Sequence, residues 1–201
     1  MDERGGPAEG SAANGGSGVD EASPPVPLEG RAAQPRPGLD LVDEWRARWE
    51  ELDGRAHRAE SLEEARAMAR EMIGAATVAR WHDARLEDIA QAQAQAPEAE
   101  VSLLVADVAV ADTGQVGWAH GAGRPRGAGV LPSRQVILLC EDGVVASLAD
   151  ALTRLGATAA PPPSSLVLIA GPSRTADIEQ RVIRGVHAPR EIDVIVYGGI
   201  A

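Results

Sequence analysis

Ser165-Leu-Val-Leu-Ile-Ala-Gly171-Pro172-Ser173-Arg174-Thr175-Ala-Asp177-Ile-Glu-Gln180 is the stretch on which the reading of the second half of the chain turns. Its first six residues form a run of strand length, and Gly-Pro-Ser is a turn signal. Thr175 then stands where an N-cap belongs, and Asp177 lies four residues before Arg181. That spacing predicts a helix from Thr175 to about Arg184. Downstream, Pro189 holds Ala188 extended and turns the chain into a last apolar strand, Ile192–Val196. Upstream, Val136–Leu139 reads as a buried strand, and a helix from about Gly143 to Leu155 stops at Gly156. Strand, helix, strand, helix, strand with short connections predicts a largely parallel sheet covered by helices on both faces. The expected class is therefore α/β, in three α/β/α layers.

Further towards the N-terminus, Val101–Val105 and Val108–Val110 are short apolar runs interrupted by Asp107, and the Gly-rich segment 114–129 predicts turns and a hairpin. Before them the pattern is helical. Leu41, Trp45, Trp49 and Leu52 share a face, and the Trp pair is either core or a helix-docking surface. Ser61-Leu-Glu-Glu64 has the form of a capping box opening a helix towards Ile73. Residues 75–80 suit a short strand. Asp83 then suits the cap of a helix through Leu86, Ile89 and Ala90. The first 38 residues are rich in Gly and Pro, with too few large apolar side chains to offset the cost of ordering a backbone. The expected organisation is a disordered tail over 1–38 and one folded domain over 39–201. Within that domain a helical lead-in (39–98) precedes the α/β portion (99–201).

Composition removes whole classes of chemistry. The chain has 201 residues and contains no Lys, which excludes a P-loop lysine, a Schiff base and a pyridoxal-phosphate anchor. The single Cys140 is too few for an iron–sulfur cluster, a cysteine zinc site or an internal disulfide. A net charge of −11 and few aromatic residues argue against nucleic-acid binding. His57, His82 and His120 lack i,i+4 partners, so no metal site is read. No apolar run is long enough to span a bilayer, and the N-terminus lacks the apolar core of a secretory signal. A cytoplasmic location is expected.

Three constellations carry possible chemistry. In the stretch from Gly171, the strand-to-helix turn is where an α/β sheet binds ligands, and Ser173, Arg174 and Thr175 suit a carboxylate or phosphate. The alternative is a well-capped helix with Asp177 complementing its dipole. His187 and Arg190 are either polar site residues or helix-end caps. Asp112-Thr113-Gly114 has the triplet of aspartic proteases, but one copy without their barrel pattern does not support that chemistry. In Gly121-Ala-Gly123-Arg124-Pro-Arg126-Gly127, Arg126 breaks the dinucleotide fingerprint. A hairpin tip with Arg124 and Arg126 towards a ligand is the better reading.

Gly171-Pro-Ser-Arg-Thr-Ala-Asp-Ile-Glu-Gln180 followed by Gly185-Val-His-Ala-Pro-Arg190 resembles the C-terminal signature of the LUD-domain family, in particular its small lactate-utilization members. Asp112-Thr113-Gly114 is similar to that family's upstream acidic-Thr-Gly motif. Leu131-Pro132 and Val136–Leu139 follow in the family's order. The resemblance spans about residues 100–197. It departs from the pattern at Ala188 (usually Gly), Gln115 (commonly Thr) and Gln135 (frequently His). It implies an α/β/α fold similar to the sugar-phosphate isomerase and CoA-transferase group, and candidate ligand-binding residues Gly171, Ser173, Arg174, Thr175, Asp177, Asp112, Thr113, His187 and Arg190. It also implies work beside iron–sulfur proteins that oxidise lactate to pyruvate. On this reading the chain carries no cofactor and its partners hold the clusters. Its own role is to hold a small carboxylate or phosphate, or to dock those partners. The competing expectation is a stand-alone enzyme or sensor for a small phosphorylated or CoA-linked acid, a reading that fold analogy supports only weakly.

Overall fold

A computed structural model describes residues 40–90, 93–157, 159, 161–176, 182–184 and 189–198. In chain order the elements are α1 (Leu41–Glu51), β1 (Arg55–Ala59), α2 (Leu62–Ile73), β2 (Val78–Arg80), β3 (Val101–Ala106), β4 (Val108–Val110) and β5 (Gln115–Ala119). They continue as β6 (Arg134–Cys140), β7 (Val144–Val145), α3 (Leu148–Arg154), β8 (Leu166–Ile169), β9 (Arg174–Ala176), β10 (Val182–Arg184) and β11 (Glu191–Tyr197). Residues 1–39 lie outside the described residues.

The centre is a five-stranded sheet ordered β1-β11-β6-β3-β2, with every neighbouring pair parallel. Its three inner strands carry the long apolar runs. All six residues of β3 are buried, as are all of β11 after Glu191. That is the signature of strands covered on both faces. The fold is α/β with a parallel-dominated sheet, as the sequence predicts. No helix among the described residues is long and apolar enough to cross a membrane.

The helices start where the caps put them. The Ser61 hydroxyl accepts from the Glu64 amide at 3.2 Å, and α2 buries Ala65, Ala69 and Ile73 at i, i+4 and i+8. On α3, Ser147 and Asp150 form a reciprocal capping box, so the helix begins at Leu148 and not near Gly143. The intervening residues make a 3₁₀ turn, Glu141–Gly143, and the short strand β7. Gly156, at φ +77°, ends the helix as expected. Asp83 caps only one 3₁₀ turn, Ala84–Leu86, because Asp88 takes the left-handed conformation (φ +57°) and breaks any continuation to Ile89.

Two strand expectations are corrected. The apolar run at 165–170 does not join the parallel sheet. As β8 it pairs antiparallel with β5, in a second sheet ordered β7-β4-β5-β8. Asp107 is the pivot between the sheets: β3 ends at Ala106, and the Asp107 amide bonds the Gly117 carbonyl of β5 at 2.9 Å. Second, the two described ends of the helix expected over 175–184 are strands: β9 and β10 form an antiparallel ladder with Thr175 opposite Ile183, and 177–181 lie outside the described residues. The β-branched residues at 175, 182 and 183 suit that ladder, and pairing overrides the local cap signal.

The Trp pair is core. Trp45 and Trp49 are fully buried and stacked at 5.9 Å, so they offer no docking surface.

Candidate functional site

In open α/β sheets the functional crevice lies beyond the carboxyl ends of the strands, where loops carry polar groups on a fixed scaffold. Here β2, β3, β6 and β11 end together, with Arg80 beside Leu103, Ala106 beside Leu139 and Cys140 beside Tyr197. The residues just past these ends, joined by the loop after β5, form one chain of ion pairs. Arg85 forks onto Asp83 at 2.8 and 2.7 Å. Arg124 reaches Asp83 at 3.5 Å and Asp107 at 2.6 Å. The Arg85 fork holds the Asp83 carboxyl below its usual range. Burial pushes the Tyr197 phenol up, against its hydrogen bond with Arg85.

An aromatic floor fixes Arg124. Its guanidinium lies 5.1 Å from the Trp81 ring centroid, and Trp118 meets Trp81 edge-on at 5.5 Å. The Trp118 indole N–H donates to His120 Nε2 at 3.4 Å, which assigns the ring proton to Nδ1. Nδ1 then donates to the Arg124 carbonyl at 3.0 Å. Beside this network a cavity of about 320 Å³ is lined by Arg85, Asp107, Cys140 and Arg154.

The two motifs read from the sequence lie elsewhere, at the edge of the second sheet. Val116 pairs with Ile169, so the turn before β5 (Asp112-Thr113-Gly114) and the turn after β8 (Gly171) share one end of that sheet. Both lean on α1. A Cβ on Gly114 would meet the Arg48 backbone, and one on Gly171 would overlap the Leu52 carbonyl. Burial pushes the Asp112 carboxyl up despite Arg48 nearby, and its Oδ1 is buried without a hydrogen-bond partner. The Thr113 hydroxyl donates to Gln115 Oε1 at 3.2 Å. The Ser173 amide donates to the Pro189 carbonyl at 2.9 Å, which brings together the two halves of the C-terminal signature. Arg174 and Thr175 sit on the strand β9 and not at the start of a helix. Exposed Arg190 anchors through its amide to the Ser133 carbonyl at 2.7 Å. Asp177 and His187 lie outside the described residues.

Gly171 combines a positive φ of +84° with the close approach of Leu52. Gly171→Ala is therefore expected to cost roughly 1–3 kcal/mol, on the scale of local backbone strain. An unchanged urea midpoint would show that the turn does not lean on α1.

In the sequence Asp83 reads only as a cap, Arg124 as a loop-tip cation and Cys140 as one thiol too few for a cluster, and nothing singles out Arg85 or Arg154. Asp83, Arg85, Asp107 and Cys140 lie at or just past the end of an apolar strand run. That position is the signal, since the ends of parallel strands converge.

An open parallel sheet with a polar network along its carboxyl edge is an α/β architecture, and in such sheets that edge is where ligands generally bind. The chain belongs to the LUD domain family, whose model matches residues 56–197. Lactate utilization protein C of Halalkalibacterium halodurans is 31% identical over 98 residues, covering 47% of this chain and 43% of that protein. The Escherichia coli protein called uncharacterized protein YkgG is 33% identical over 113 residues, covering 54% and 47%. These matches span about half the length of the curated relatives. The crystal structure of a DUF162 family protein from Deinococcus radiodurans shares the fold, with a TM-score of 0.60 at 20% identity over 79% of this chain and 96% of that one.

Proposed function

We propose that this chain is an accessory component, without an iron–sulfur cluster, of a system that oxidises lactate to pyruvate. The observation that carries the reading is its similarity to relatives named lactate utilization protein C, together with a LUD domain match over residues 56–197, a range that contains the acidic-Thr-Gly motif and Gly171. Lactate oxidation moves two electrons, and the single Cys140 is too few to ligate a cluster. The electron carriers are therefore partner proteins, and this chain holds the substrate or docks them. Its net charge of −11 steers it towards basic surfaces over long range and contributes little affinity by itself.

Deleting the gene is expected to slow growth on lactate and leave growth on pyruvate unchanged. An affinity-tagged chain from lactate-grown cells is expected to recover proteins that carry iron–sulfur clusters. Equal growth on both carbon sources, with no such proteins recovered, would overturn the assignment.

A further inference from the structure

We infer that the cavity between the carboxyl ends of β3 and β6 and the end of α3 binds a small monocarboxylate, with Arg154 as its ligand-facing cation. The inference deepens the reading above by giving a ligand a place and a charge, but it rests on the cavity's own chemistry. Ala106, Ala119 and Leu155 supply apolar wall, and Arg85, Asp107 and Arg154 supply charge. Of the arginines that line the cavity or lie in the network beside it, two are already neutralised. Arg85 is forked onto Asp83, and Arg124 is paired with Asp107. Exposed Arg154 has no such partner among the described residues. Its Nε donates to the Asp107 carbonyl at 3.2 Å, and among the described residues no carboxylate lies within ion-pair distance of it. Among the lining residues, Arg85 and Arg154 against Asp107 leave one positive charge in excess, in a chain whose net charge is −11.

Charge and size select the ligand class. A single uncompensated guanidinium matches one carboxylate, which it can take as a fork. A phosphate dianion would bring a second negative charge for which the lining has no second uncompensated cation. A volume of about 320 Å³ is at the bottom of the range of small-molecule sites, roughly 300–1,000 Å³. It suits a short organic acid and not a nucleotide or a coenzyme A ester.

Cys140 lines this cavity, is partly exposed, and is the only cysteine in the chain. It is therefore a reporter that needs no assay of activity. Iodoacetate is itself a small monocarboxylate, and iodoacetamide is its neutral counterpart of the same size. In the full-length folded chain, Cys140 is expected to favour iodoacetate over iodoacetamide severalfold more than in the urea-unfolded chain. Excess acetate or lactate should slow the alkylation. Arg154→Ala should abolish that severalfold gain and return the preference to that of the unfolded chain. Arg46→Ala, which removes an exposed cation on α1, should leave it intact. A preference no greater in the folded chain, or one unchanged in Arg154→Ala, overturns the site. If the folded chain resists both reagents, calorimetric titration with acetate and lactate decides, and the lack of saturable, Arg154-dependent binding overturns it equally. These outcomes are independent of the growth phenotype, so the site and the lactate assignment can fail separately.

Discussion

Asp193→Asn is expected to destabilise the fold by about 3–5 kcal/mol, the cost of removing one partner from a buried ion pair. Asp193 lies in β11 at the amino-end side of the parallel sheet, opposite the cavity, and is 2% exposed. Its carboxylate accepts Arg55 Nε at 2.7 Å and the Arg55 terminal nitrogen at 2.9 Å. It also accepts two Arg134 nitrogens at 3.3 and 3.1 Å and lies 3.0 Å from His57 Nε2. Arg134 in turn donates to the Met72 carbonyl at 2.7 Å, so the carboxylate orders β1, β6 and the end of α2 together. Asparagine has the same shape but leaves two guanidinium groups around it without their shared countercharge. Burial pushes the Asp193 carboxyl up, but the hydrogen bonds from Arg55, His57 and Arg134 prevail and hold it at about 2. Because the folded value lies below the unfolded one, this carboxylate's stabilisation is complete above about pH 4. It drains away as pH falls from there towards 2. That lowering corresponds to roughly 2–3 kcal/mol. Urea unfolding across pH 2–6 should therefore show a slope in the parent that is smaller in Asp193→Asn. Parallel curves for the two proteins would mean that the network does not bind the proton this way.

What the sequence revealed followed from burial. Strands covered on both faces appear as unbroken apolar runs, so β3, β6 and β11 were legible, and so was the parallel class. Caps were legible where side chain and backbone agree locally, as at Ser61 and Gly156. The edge strand β1 was not. Arg-Ala-His-Arg-Ala buries only Ala59 fully and owes its extended form to pairing with β11. Charged residues on such a strand discourage unwanted edge pairing, and they also erase the periodic signal. At 174–184 the cap-like Thr175 and the β-branched Val182-Ile183 pointed to different structures, and contact between the segments decided for the ladder. The motif residues were visible because they are contiguous. The network at the carboxyl edge was not, because Asp83, Arg85, Asp107, Arg124, Cys140 and Arg154 are single residues spread over the chain. They meet only once β2, β3 and β6 lie side by side.

Trp49→Ala is expected to cost about 3–5 kcal/mol, the usual range for a large aromatic removed from a core. The residue is fully buried, and Gly54 is packed so closely that a Cβ there would fall inside its indole ring. Its neighbours are therefore placed around the ring and cannot collapse far into the void. The Trp49 indole N–H donates to the Arg55 carbonyl of β1 at 3.1 Å, while Trp45 donates to the Gln115 carbonyl of β5 at 3.2 Å. One helix face thus joins the edge of the parallel sheet to the second sheet. The Gly114 and Gly171 turns rest on the same helix, so loosening α1 should disturb both motif turns at once. Trp49→Phe separates packing from the hydrogen bond. It retains most of the apolar volume but leaves the Arg55 carbonyl without its donor, a loss of about 1–3 kcal/mol. Because the two Trp rings stack, the double variant Trp45→Ala/Trp49→Ala should lose less than the sum of the single losses, by roughly 0.5–1.5 kcal/mol. Denaturant unfolding of the parent, Trp45→Ala, Trp49→Ala, the double variant and Trp49→Phe, followed by far-ultraviolet circular dichroism, supplies the comparison. Strict additivity, or a loss below about 1 kcal/mol for Trp49→Ala, would show that α1 does not tie the two sheets together. The Gly171 and Asp112 turns would then owe their position to some other support.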